Sequence, residues 1–170
     1  LEASPLRTEP RCAYFSTCGG CKWQHVDYAA QLEAKQQSVK EALIHQGGFD
    51  ADALDVRPTM GAEAPYYYRN KMEFSFSADR WLTPEEIATG KEFDTDFALG
   101  LHVPGNFFKV LDLHECHLQS RLSARLVNGV RDFVKAQGWA PWDIRKHVGF
   151  LRHFIIRQAE HTDDLMVALV

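Results

Sequence analysis

The sequence has little of several features that would assign it to a class of protein. No apolar run approaches the roughly 20 residues that a membrane-spanning helix needs, and the N-terminal residues do not form a secretory signal. The formal net charge at pH 7 is −4, which argues against a protein that coats nucleic acid through its overall charge. A local basic patch is compatible with this charge. No internal repeat or low-complexity segment is present.

Cysteine is also scarce, with four in 170 residues. A chain of this length can bury a core of its own, and nothing in it indicates an oxidising compartment, so disulfide staples are disfavoured. Because three of the four cysteines lie in the single stretch "CAYFSTCGGC", their purpose is the first question that the sequence raises.

Alternating and helical patterns predict an α+β fold, an antiparallel sheet built of hairpins with two main helices packed on it. One helix follows a plausible N-cap at Asp27 and stops at Gly47–Gly48. The other covers residues 119–137 and ends before Gly138. Its predicted apolar stripe comprises Leu122, Leu126, Val130, Phe133 and Val134. Strands are predicted at residues 68–78, 97–103, 107–113, 150–159 and 165–170.

The predicted connections are of several kinds. Residues 79–96 form a polar loop with a helical turn at 84–88, and "PGN" at 104–106 is a turn signal. In the first strand, Tyr68 is expected on the inward side, together with Met72 and Phe74. Residues 1–11 are expected to be an extended lead-in, and residues 12–170 one domain.

The spacing C-x5-C-x2-C of Cys12, Cys18 and Cys21 favours a metal site. A C-x-x-C pair alone is also typical of thioredoxin-like redox loops, but no strand pattern precedes this one. A fourth thiolate is available from Cys116, which lies between a predicted strand and a helix, although a lone cysteine is also often a small buried apolar residue. Zinc and an iron–sulfur cluster both remain open, with the triplet plus a distant cysteine favouring a cluster. The nearby His25, His114 and His117 are expected to support the site rather than bind the metal.

The ordered segments "CAYFSTCGGCKWQHVDYAAQLEAKQQSV", "YRNKMEFSF", "GLHVPG" and "LHECHL" resemble the iron–sulfur RNA uracil-C5 methyltransferases. These enzymes make 5-methyluridine in ribosomal or transfer RNA with S-adenosylmethionine as methyl donor. The resemblance implies a [4Fe–4S] cluster bound by Cys12, Cys18, Cys21 and Cys116, in a central domain that helps to hold RNA. It also implies a cytoplasmic, monomeric protein with no membrane partner.

The resemblance further implies that this chain is a central fragment of a longer enzyme. Methyl transfer to uracil C5 needs a cysteine nucleophile, a general base and a glycine-rich loop for S-adenosylmethionine. All four cysteines are assigned to the cluster, and the 11 glycines are scattered. No catalytic or S-adenosylmethionine-binding residue is therefore expected in this chain. The family places this machinery in a C-terminal domain, and an OB-like RNA-binding domain, where present, at the N-terminal side.

A basic and aromatic stretch, "YYYRNK", indicates the RNA surface. Arg69 and Lys71 are predicted on one exposed strand face, where they could meet phosphates, and Tyr66 and Tyr67 could stack on unpaired bases. The alternative is an ordinary solvated strand face, and Glu73 on the same face weakens the patch. A second, weaker group of basic residues comprises Arg145, Lys146, His147, Arg152 and Arg157.

Overall fold

The structure is a computed structural model that describes residues 2–170. It contains two compact units: the first comprises the chain up to Arg11 with Trp23–Pro65, and the second comprises Cys12–Lys22 with Tyr66–Val170. The helices are α1 (Tyr28–His45), α2 (Pro84–Ala88) and α3 (Arg121–Gln137), with a 3₁₀ turn at Ala51–Ala53. The strands are β1 (Lys71–Ser77), β2 (Arg80–Trp81), β3 (Ala98–Val103), β4 (Asn106–Asp112), β5 (His153–Gln158) and β6 (Leu165–Leu169).

The first unit is organised along α1, whose predicted start is confirmed. The Asp27 side chain accepts a hydrogen bond from the Ala30 N–H at 3.2 Å, which satisfies one of the free N–H groups at the helix start. The chain that follows the helix is tied to it, because Gln36 Nε2 donates to the Val56 carbonyl at 2.8 Å. None of the helix residues, all of which are described, is buried.

The second unit contains a six-stranded sheet in the order β2-β4-β3-β1-β5-β6. All neighbouring pairs are antiparallel except β2 and β4. The alternation predicted for β1 is confirmed, since Met72, Phe74 and Phe76 are at most 4% exposed. These residues join the core with β5 and with Val127 and Val134 of α3. The predicted α+β class is thus confirmed, and the expected packing of a helix on the sheet is observed for α3.

The start of β1 differs from the prediction. The strand begins at Lys71 rather than at residue 68, and Tyr68 is 57% exposed instead of facing the core. The reason is local: the N–H groups of Tyr67 and Arg69 donate to the carbonyls of His117 and Leu118, both at 2.8 Å. This pairing diverts the segment from the sheet before Lys71.

The buried face of α3 also differs from the predicted stripe. Its buried residues are Ser123, Val127, Arg131 and Val134, whereas Phe133 is 50% exposed. The buried face of α3 is rotated relative to the predicted apolar stripe, because it includes a charged residue, Arg131. An apolar pattern cannot reveal that position, since a buried charge is stabilised only by partners that are distant in sequence.

Candidate metal centre and RNA-facing surface

The cysteine loop, Cys12–Lys22, curls through consecutive tight turns. The Phe15 N–H donates to the Cys12 carbonyl at 3.0 Å, and the Cys18 N–H donates to the Tyr14 carbonyl at 2.9 Å. Ser16 has a φ of +74°, a left-handed conformation that reverses the chain. These turns fold the chain between Cys12 and Cys18 back on itself.

Gly19 fits the cysteine loop against the β3–β4 hairpin. A Cβ atom on Gly19 would lie 3.0 Å from the His102 carbonyl oxygen, closer than nearly all side chains approach backbone. The neighbouring Gly20 is less crowded, because its Cβ would meet the Cys18 Sγ and a methyl carbon of Leu101 at 3.5 Å. The absence of a side chain at the first glycine of the C-x-x-C pair therefore favours its close approach to the hairpin.

Tyr14 joins the cysteine loop to the segment that carries Cys116. The Tyr14 hydroxyl accepts a hydrogen bond from the His114 N–H at 3.3 Å. Burial raises the pKa of Tyr14, so the ring remains neutral at physiological pH. The loop and residues 114–116 are held together by contacts that do not involve sulfur.

The four thiols lie within electrostatic reach of one another. Burial raises the pKa of Cys12, and it raises the pKa of Cys18 to about 11; in both cases it is the main cause. The Cys116 and Cys21 thiols raise both pKa values further. Four neighbouring thiolates would repel one another here, and a bound cation would offset that repulsion.

The residues suit a thiolate-bound metal group by donor chemistry, and all four cysteines belong to the second unit. None of the four cysteines forms a disulfide, and the Gly20 N–H donates to the Cys18 Sγ at 3.4 Å, the kind of hydrogen bond that tunes a metal-bound sulfur. Among residues 2–170, no three or more His, Cys, Asp or Glu side chains are close enough to hold a single metal ion.

His114 and His117 lie beside Cys116 and make other contacts. His114 Nε2 lies 3.3 Å from Asp112 Oδ2. His117 is buried, with its Nδ1 3.1 Å from the Tyr67 hydroxyl, and the rings of Tyr66 and Tyr67 meet it edge-on. Their supporting role at a metal site stays a prediction. His25 lies in the first unit.

The four residues predicted to contact RNA fall into two pairs. Arg69 and Lys71 are exposed, and the Lys71 ammonium lies 3.5 Å from Glu73. Tyr66 and Tyr67 are half-buried against His117, so part of each ring is already covered. The exposed pair is the better placed for phosphates, and RNA contact by all four stays a prediction.

Two features of the site were not predicted from the sequence. Tyr14 and Gly19 fix the position of the cysteine loop, yet each depends on a partner about 80 to 100 positions away. The only available signal was their place inside the cysteine stretch. Contacts over such separations leave no local pattern.

No family model matches the chain. It is 46% identical over its whole length to an uncharacterised RNA methyltransferase of Chlorobaculum tepidum and spans 35% of that protein. It is 42% identical over 98% of its length to another from Porphyromonas gingivalis, spanning 36% of it. A tRNA (uracil(54)-C(5))-methyltransferase of Pyrococcus abyssi is 28% identical over the whole chain, which spans 35% of that enzyme.

A solved structure gives the same indication. The crystal structure of the Pyrococcus abyssi tRNA (uracil-54, C5)-methyltransferase in complex with S-adenosyl-L-homocysteine matches 99% of this chain and 33% of its own, with a TM-score of 0.63 and 25% identity. The chain therefore spans about a third of the length of its relatives. The resemblance to the RNA uracil-C5 methyltransferase family is confirmed, for a segment of about one third of such a protein.

Proposed function

We propose that this chain is the [4Fe–4S]-binding, RNA-contacting segment of an S-adenosylmethionine-dependent RNA uracil-C5 methyltransferase. The observation that carries the proposal is that Cys12, Cys18, Cys21 and Cys116 lie half-buried in one unit, where the other thiols raise the pKa values of Cys12 and Cys18. Relatives named as RNA methyltransferases support the RNA substrate and the methyl transfer. The uracil position and the methyl donor are supported by the Pyrococcus abyssi enzyme.

The cluster would be held by one thiolate on each of four irons, so it does not require a ligand group built for a single ion. Its iron–thiolate bonds would cross-link the cysteine loop to Cys116, just before α3. One contact of the chain itself supports this: the Tyr14 hydroxyl on the cysteine loop accepts from the His114 N–H, two residues before Cys116. The proposed role is therefore structural, and methyl transfer is assigned to the rest of the enzyme.

The proposed cluster site is connected to the proposed RNA contacts through two backbone hydrogen bonds. His117 and Leu118, which follow Cys116, accept from the N–H groups of Tyr67 and Arg69. Fixing Cys116 in a cluster would thereby hold the backbone at Arg69, two residues before β1. The cluster would position this cation for a phosphate without touching the RNA.

A zinc-stabilised nucleic-acid or protein interaction module is the alternative function. Four thiolates suit zinc as well as a cluster. Anaerobically prepared protein distinguishes the two: we expect a brown colour and about four irons per chain, as in a Cys₄-bound [4Fe–4S] site. One zinc per chain with no iron in that preparation would show that the alternative is correct.

The cysteine assignment predicts the effect of single substitutions. Changing Cys12, Cys18, Cys21 or Cys116 to Ser should bleach the visible absorbance and lower the melting temperature, because the cross-link is removed. Ser120→Ala alters a helix cap near Cys116 but not the ligands, so it should lower stability by about 1 kcal/mol and leave the iron content unchanged. If one of the four cysteine variants keeps its full iron content, that cysteine is not a ligand of the cluster.

The RNA assignment predicts the effect of removing two cations. Arg69→Ala with Lys71→Ala should weaken RNA binding by the full-length methyltransferase and flatten its salt dependence. Each phosphate that a cation no longer neutralises reduces the salt slope by roughly 0.7 on a single strand. Stability should change by less than about 0.5 kcal/mol, since both residues are exposed.

A matched control for this experiment is Lys35→Ala with Lys91→Ala. It removes the same charge from two other exposed positions. If both double variants change the affinity and the salt slope equally, the effect is one of overall charge, and the "YRNK" stretch is an ordinary solvated strand edge.

A further inference from the structure

The tip of the β3–β4 hairpin carries two adjacent phenylalanines, Phe107 and Phe108. We infer that Phe107 and Phe108 form a stacking platform for an unpaired base of the RNA substrate, with Arg145 and Lys109 beside it to meet the phosphate. This inference rests on the proposed function, namely that the chain binds RNA. It adds a contact site on another part of the sheet than Arg69 and Lys71.

The two rings are paired and exposed. Their centroids are 4.2 Å apart with an interplanar angle of 31°, and the residues are 62% and 38% exposed. Phenylalanine is among the residues most often buried. A pair of rings stacked at a hairpin tip presents a flat apolar face to solvent.

The pairing of consecutive side chains has a structural cause. In a regular strand, neighbouring side chains point to opposite faces. Here the Asn106 side chain accepts hydrogen bonds from the N–H groups of Phe108 and Lys109, at 3.0 and 3.1 Å. The β3–β4 register also shifts between His102 and Val103. The start of β4 is therefore turn-like, and it holds both rings on one side.

Positive charge lies next to the platform. The Arg145 guanidinium carbon lies 5.4 Å from the centre of the Phe108 ring, within the range of a cation–π contact. Arg145 and Lys109 both pair with the Asp79 carboxylate, at 3.5 and 3.3 Å. Two cations thus share one carboxylate, which leaves an excess of positive charge within reach of a phosphate.

These features together match single-stranded RNA. Unpaired bases stack on aromatic rings and on guanidinium planes, while neighbouring cations follow the backbone. Most of the Arg145 side chain is exposed, 63%, so it can turn from Asp79 toward a phosphate. A weak ion pair of this kind costs little to exchange.

The charge of the adjoining groove indicates on which side of the 143–146 loop the RNA phosphate would lie. The 143–146 loop also borders an open groove of about 610 Å³. The charged residues that line this groove are Asp94, Asp96, Asp143, Lys135 and Lys146. Three carboxylates against two ammonium groups oppose a phosphate there, whereas the platform side has the opposite balance.

The test uses the full-length methyltransferase and a short single-stranded RNA that carries 2-aminopurine, a fluorescent base quenched by stacking. Phe107→Leu with Phe108→Leu keeps apolar side chains but removes the aromatic face. We expect this variant to bind the RNA about five- to a hundred-fold more weakly, the range for removal of base–aromatic stacking. The quenching should decrease, while the salt slope stays unchanged because every cation that meets a phosphate is still present.

Two further variants sharpen the result. Phe107→Trp preserves an aromatic face. If stacking is the cause, this variant should keep its RNA affinity and its quenching within about twofold of the unaltered enzyme. Arg145→Ala should flatten the salt slope by roughly 0.7, one phosphate contact on a single strand. These opposite signatures separate stacking from charge.

The outcomes are distinguishable from failure of the proposed function. An unaltered enzyme that binds no RNA would contradict the proposed function and the platform together. If the unaltered enzyme binds RNA and the double Leu variant binds it equally tightly with equal quenching, the platform is overturned and the proposed function is not. Unchanged RNA affinity with a lowered melting temperature would also overturn it, because the rings would then pack against another part of the enzyme.

Discussion

Arg131 is a cation in the interior of the second unit, with 3% of its surface exposed. Its guanidinium donates to Asp112 Oδ1 at 3.1 Å and to the carbonyls of Leu99 and Leu113 at 3.1 and 2.6 Å, and it also contacts the Asn128 side chain. Asp112 Oδ1 in turn accepts from the Leu99 N–H at 2.9 Å. One side chain therefore joins α3 to β3 and to the end of β4, shortly before Cys116.

Arg131→Ala should destabilise the protein by about 3–5 kcal/mol, because it leaves the Asp112 carboxylate buried without its cation. Urea unfolding monitored by circular dichroism measures the change. Arg125→Ala is the matched control on the same helix, where the residue is exposed, and it should cost less than about 0.5 kcal/mol. Equal decreases in the two variants would mean that the buried pair adds nothing beyond helix content.

At the scale of elements, the sequence predicted structure where the determinants are local. The Asp27 cap placed α1, the glycine at residue 138 ended α3 in a left-handed conformation with a φ of +66°, and alternation located β1 and β3. The sequence did not predict elements that depend on contacts with residues far away along the chain. The two-residue β2 pairs with β4 in parallel and is too short to show a period.

The cysteine loop is an element whose position depends on one glycine. Gly19→Ala would bring a Cβ to 3.0 Å from the His102 carbonyl oxygen, so the loop or the hairpin must give by a few tenths of an ångström, and we expect a cost of about 1–3 kcal/mol, typical of overpacking. Under the proposed function, the iron content of the anaerobically prepared protein should decrease with the melting temperature.

Gly20→Ala is the control for this prediction. Its Cβ would make ordinary contacts at 3.5 Å, and an alanine keeps the N–H that donates to the Cys18 Sγ. We expect smaller decreases in stability and iron than for Gly19→Ala. If the Gly20 variant is the more damaged of the two, close approach to the hairpin is not what positions the loop.

For the whole molecule, the cysteine spacing favoured a shared metal site, and the structure places all four cysteines in one unit, while their assignment as ligands stays a prediction. The sequence could not predict the hydrogen bond that links the cysteine loop to the segment before Cys116, because Tyr14 and His114 are a hundred positions apart. The platform was also beyond prediction, because Phe107 and Phe108 share a side only through the Asn106 turn. No helix among residues 2–170 is long and apolar enough to cross a membrane.

The division of labour that we propose makes a prediction for the chain by itself. Adding a methyl group to uracil C5 requires a nucleophile at C6, a base and a site for S-adenosylmethionine. The four cysteines of this sequence are all assigned to the cluster, and it has no glycine-rich loop of the kind that cradles such a cofactor. The chain alone should therefore transfer no methyl group.

The measurement is incorporation of radioactive methyl from S-adenosylmethionine into RNA, with a no-protein reaction as background and the full-length methyltransferase as the positive control. Calorimetry of the chain with S-adenosylmethionine should show no heat of binding. The cluster proposal does not depend on this result, because iron content is measured separately. Methylation by the chain that exceeds background and persists after repurification would show that catalytic residues lie within these 170 positions, and a cysteine now assigned to the cluster would become the first candidate for the nucleophile.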